Sequence, residues 1–83
     1  MKRRFTILLD PDTEAGGYTV TVPALPGCIS EGDSYEEAVA MAREAIRVHL
    51  RGMQRDGDAI PEETGVLRLA TVEVELEDAP VAH

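Results

Sequence analysis

A helical stretch running from Ser34 to about Arg55 constrains this chain more than any other feature. Ser34 sits where an N-cap belongs, and Glu37, three residues on, completes a capping box that satisfies orphan amides at a helix start. Glu36 and Glu37 also suit the positive end of the helix dipole, and Gly57 supplies a stop signal. At about 100° per residue, Tyr35, Ala38, Val39, Ala42, Ile46, His49, Leu50 and Met53 share one arc. An apolar arc must be buried against another layer. With no second helical pattern to receive it, the partner has to be a sheet.

The rest of the chain supplies one. "RRFTILLD" and "GYTVTVP" are β-rich runs joined by "PDTEAGG", which reads as a hairpin with a longer loop. Tyr18, Val20 and Val22 alternate with Thr19 and Thr21, giving an apolar and a wet face. "CISEG" reads as a third strand, and "VLRLATVEVEL", after the loop "GDAIPEETG", as a fourth. A helix between strands three and four supplies a crossover. The expected fold is therefore α+β, β-β-β-α-β, with the fourth strand parallel to the first and sheet order 3-2-1-4. Residues 1–78 are expected to form one domain and 79–83 a flexible tail.

Composition narrows the function classes. The chain has 83 residues, 43% of them hydrophobic, and two tyrosines and one phenylalanine are its aromatics. The core is aliphatic and thin, and such domains often gain stability by oligomerising. One cysteine excludes an internal disulfide and fits a reducing cytosol. The apolar run Phe5 to Leu9 is too short for a signal-peptide core, and nothing approaches a transmembrane span, so a cytoplasmic protein is expected. The net charge of −8 repels phosphate backbones, which disfavours nucleic acid, and attracts a basic partner.

No motif supports catalysis. "DPDTEAG" resembles the start of a calcium loop, but Ala15 stands where its glycine belongs and Thr21 where its final acid belongs. Cys28 has no histidine tied to it by a local signature. No zinc-ligand spacing, phosphate loop or catalytic carboxylate pair is visible, so neither cofactor nor metal is expected.

The crowded stretch "VPALPGC" reads as a structural corner. Pro23 and Pro26 fix φ and remove backbone donors, Gly27 permits the return into strand three, and Leu25 and Cys28 hold the corner to the core. On the helix, Met41, Ala45, Val48 and Gly52 widen the apolar arc to about 200°. That is more than one sheet contact needs, and it marks them as candidates for self-association into a dimer or larger even assembly. Arg43, Arg47, Arg51 and Arg55 recur every four residues as a basic ridge, read as a solvated face.

The order Gly17-Tyr18, Pro23, Leu25-Pro26-Gly27-Cys28, Gly32-Asp33-Ser34 and Glu36-Glu37-Ala38 resembles the HicB antitoxin family over roughly the first two-thirds of the chain. The resemblance implies a partial ribonuclease-H-like fold without catalytic residues. It also implies a small basic messenger-RNA-cleaving toxin (HicA-like) as the partner to be masked. The acids expected to face that toxin are Asp10, Asp12 and Glu14 on the hairpin, with Glu31 and Asp33 before the helix. Many family members add a C-terminal DNA-binding domain that has no counterpart here, so promoter binding is not expected. The alternative is a stand-alone oligomeric scaffold or small-ligand module of the same fold.

Overall fold

A computed structural model describes residues 2–63 and 67–78. Three strands form an antiparallel sheet: β1 (Leu8–Pro11), β2 (Tyr18–Thr21) and β3 (Ile29–Gly32), in spatial order β1-β2-β3. The helix α1 (Tyr35–Arg55) lies across one face, mainly over β3 and β2. Registers Leu9↔Val20↔Ser30 and Pro11↔Tyr18↔Gly32 face the helix. Leu8↔Thr21↔Ile29 and Asp10↔Thr19↔Glu31 face away from it.

Each turn is built by the residues its geometry needs. In the hairpin, Asp12 Oδ1 accepts the amides of Glu14 and Ala15, both at 3.0 Å. The Gly17 carbonyl accepts the Asp12 amide at 2.9 Å, and Gly16 and Gly17 both take φ near +80°. The corner "VPALPGC" resolves into two successive β-turns sharing Leu25. The Leu25 amide donates to the Val22 carbonyl at 2.9 Å, and the Cys28 amide donates to the Leu25 carbonyl at 3.0 Å. Pro23 and Pro26 each occupy the second turn position, where φ is already fixed and no amide is needed. Gly27 at φ +87° makes the second a type II turn.

Both helix ends are closed. Ser34 Oγ accepts the Glu37 amide at 3.1 Å. At the other end the Asp58 amide donates to Met53 and the Gly57 amide to Gln54, with Gly57 at φ +77°, which is a Schellman motif.

The core has two halves joined by Ile7. Val20, Ala38 and Ala42 gather Ile7, Leu9 and Tyr18, and Tyr18 meets Tyr35 edge-on at 6.4 Å. Val22, Leu25 and Cys28 gather Phe5, Ile7, Ala45, Ile46, Leu50 and Met53. The helix starts hard against β3. A Cβ on Gly32 would collide with the backbone nitrogen of Ala38 and lie 2.5 Å from its Cα.

The fourth strand is a correction. Among the described residues the sheet has three strands, and 67–78 pair with none of them, so neither the β-β-β-α-β order nor the 3-2-1-4 sheet is present. Val66, the first residue of the expected strand, lies outside the described residues, as does the expected tail at 79–83. The physical reason lies in how the chain returns after α1. Thr6 donates from its amide and its hydroxyl to the Glu63 carboxylate, at 2.5 and 2.6 Å, and Arg3 pairs with Glu62 at 3.4 Å. Asp12 bonds to Gly17 at the end of the β1–β2 ladder, and alternation turns the Thr6 amide to the same side. Glu63 therefore takes the place beside β1 that β2 vacates at Pro23. Leu67 lies with Pro23 and Ala24, so the segment leaves from the β2 side of β1, not from the open outer edge that a fourth strand would need.

Candidate functional site

Asp10, Asp12, Glu14, Glu31 and Asp33 lie together at the hairpin end of the sheet. Asp10 and Glu31 flank Thr19 on the helix-free face. Asp12, Glu31, Asp33 and Glu37 line one shallow depression with Tyr18, Gly32 and Met41, and Glu14 lies beside Asp10 on the adjoining loop surface. Asp12 differs from the others in being committed to the turn. The amides of Ala15 and then Glu14 hold its carboxyl below the usual carboxylate range. Asp10, Glu14, Glu31 and Asp33 stay exposed and make no hydrogen bond through their carboxylates among the described residues, so their charge is available to a partner.

The corner residues lie apart from this surface. Leu25 and Cys28 are 1% and 5% exposed, while Pro23, Pro26 and Gly27 are at the surface. Cys28 and His49 line the same groove, a proximity no local sequence spacing announces, yet no hydrogen bond joins them. Burial pushes the Cys28 thiol up, which favours the un-ionised, weakly nucleophilic form. Among the described residues no group of three or more His, Cys, Asp and Glu side chains is placed to hold a metal ion. No helix there is long and apolar enough to cross a membrane.

Met41, Ala45 and Val48 line that groove with Ile29, along the open edge of β3, while Gly52 lies outside it. The arginine ridge divides. Arg47 pairs with Glu44 at 2.8 Å, and Arg43 lines a separate groove with Arg3, Phe5 and Ile7.

The Thr6–Glu63 tether gives the body an acid-sensitive element. The Thr6 hydroxyl, and then its amide, hold the Glu63 carboxyl below its ordinary value of 4.5. A depressed folded-state value contributes stability that is complete above the unfolded value and is lost as pH falls through the folded one. The tether is therefore expected to release only below pH 4.5. In a carboxylate NMR titration, Thr6→Val should move the Glu63 midpoint part of the way up toward the ordinary range, because the residue-6 amide still donates to it. An unmoved midpoint would show that the Thr6 hydroxyl does not hold that carboxylate.

The profile of the HicB-like antitoxins of bacterial toxin–antitoxin systems matches residues 5–82. A UPF0150 protein of Thermoplasma acidophilum is 38% identical over 58 residues, which are 70% of this chain and 83% of that protein. A protein called Antitoxin HicB 1, from Photorhabdus laumondii, is 36% identical over 58 residues, 70% of this chain but 37% of its own length. An uncharacterised 14.9 kDa protein of Haemophilus phage HP1 is 49% identical over 45 residues, 54% of this chain and 34% of that protein. The chain thus spans only about a third of the phage protein and of Antitoxin HicB 1.

Proposed function

This chain belongs to the HicB-like antitoxin family, and from that premise we propose that it acts by binding and masking a small basic messenger-RNA-cleaving toxin of the HicA type. It performs no reaction of its own; its work is occlusion. The observation that carries this reading is the gathering of Asp10, Glu31 and Asp33 with the hairpin acids at one end of the sheet. A one-signed surface on a chain of net charge −8 steers a cationic partner and speeds its arrival.

The partner to test is a short basic protein encoded beside this one, which should co-purify with it. Asp10→Lys, Glu31→Lys and Asp33→Lys together are expected to slow association about tenfold or more, and added salt should slow it as well. Asp12 is left untouched because its carboxylate builds the hairpin. An association rate indifferent to both changes would remove this surface from the interface.

A further inference from the structure

Beyond Leu67, residues 68–78 form an arm that pairs with no strand among the described residues and is exposed along its length. Leu69 is 91% exposed, Val72 78%, Val74 72% and Leu76 83%. The radius of gyration is 17.7 Å and the long axis 58 Å, whereas a compact chain of this length has a radius near 12 Å. From Val72 onward the arm alternates strictly, with Val72, Val74 and Leu76 on one side and Glu73, Glu75 and Glu77 on the other. That is the pattern of a strand with one face against a core.

The body has an edge of matching character. Alternation from the Asp12–Gly17 bond points the backbone groups of Ile7 and Leu9 outward, away from β2. On the helix side of this edge is a groove of ≈ 220 Å³ lined by Phe5, Ile7, Val39 and Ile46, with Arg3 and Arg43 at its rim. Counting back from β1, Lys2 and Arg4 fall on the opposite face with Thr6 and Leu8. A strand laid here would put alternate apolar side chains into the groove and its acids beside Lys2 and Arg4.

We propose that the arm of one chain docks along the outer edge of β1 in a second copy, so that two copies exchange arms. The occupant is a second copy because a chain's own arm starts on the wrong side of its β1. Glu62 and Glu63 fix that start beside Arg3 and Thr6, next to Pro23, so that the stretch leading into β1 lies between the start and the outer edge. Between copies no such crossing is needed, and two-fold exchange fills both edges with identical contacts. Pairing also removes an exposed apolar segment that would otherwise invite aggregation. The exchange needs no toxin.

Light scattering on the full chain should give twice the 9.0 kDa chain mass, and Val72→Asp, Val74→Asp and Leu76→Asp together should return it to a single chain. A monomeric wild type, or a dimer that survives the three substitutions, overturns the proposal; the latter would point to the Met41/Val48 groove instead. Should the variant fail to fold, the unaltered protein still decides. Lys2 is the only lysine, so zero-length amine–carboxylate coupling in a mixture of isotope-labelled and unlabelled chains should join Lys2 to Glu73, Glu75 or Glu77 across labels. Cross-links confined to same-label pairs, or no such cross-links, overturn the exchange.

Discussion

Replacing Gly32 with alanine is expected to cost about 3 kcal/mol, enough to leave much of a domain this small unfolded. The added methyl would meet not a side chain that can rotate away but the backbone of Glu37 and Ala38 in the first turn of α1. The helix would have to lift off β3 at the point where Ala38 is fully buried against Val20. Gly16→Ala is the internal control. Its new methyl meets nothing within 4 Å, though φ is +81°, so only backbone strain of about 1 kcal/mol is expected. Urea unfolding of the two variants separates crowding from strain. Equal losses would mean that the close approach of helix and strand is not what holds this end together.

Leu25→Ala is the second large effect, expected to remove about 3 kcal/mol through lost burial and the cavity left behind. Among the described residues Leu25 is one of the two largest fully buried side chains. It is also the residue shared by both turns of the corner, packed among partners that include Phe5, Ile46, Leu50 and Met53. Losing it uncouples the second half of the helix from the sheet. Leu25 is buried and offers a partner no surface, so the molecules that remain folded should bind a partner as tightly as the wild type does. A variant of full stability that has lost binding would reverse that assignment and make the corner part of the interface.

The features legible in the sequence were those fixed by local chemistry. Ser34 and Gly57 bracket a helix because capping depends on a few neighbouring residues. The two prolines and Gly27 announce a tight corner for the same reason. What the sequence hid was set by distant partners. The alternation of Val72, Val74 and Leu76 indicates a strand but carries no record of which edge, or whose, it joins. The run "RRFTILLD" reads as one long strand, yet β1 spans only Leu8–Pro11. β2 turns away at Pro23, and residues before Leu8 have side chains from Glu62 and Glu63 as partners, not a ladder. Gly32 stood out only as part of a family pattern, because its crowding arises where a strand and a helix meet in space. Of the acids, only their convergence needed the fold: the register that puts Asp10 and Glu31 astride Thr19 joins residues some twenty positions apart.

That register has an electrical consequence. Asp10, Asp12, Glu14, Glu31, Asp33, Glu36 and Glu37 crowd the end of the body where β1 finishes and α1 begins. Lys2, Arg3, Arg4, Arg51 and Arg55 lie toward the opposite end, among Asp56, Asp58, Glu62 and Glu63, and there the two signs nearly cancel. The body, taken without the acidic arm at 67–78, therefore carries its charge asymmetrically, with the excess of anions at the hairpin end. The field of such a body is strongest at its hairpin, so an approaching cation is drawn to that end of the sheet and helix while still separated from it by solvent.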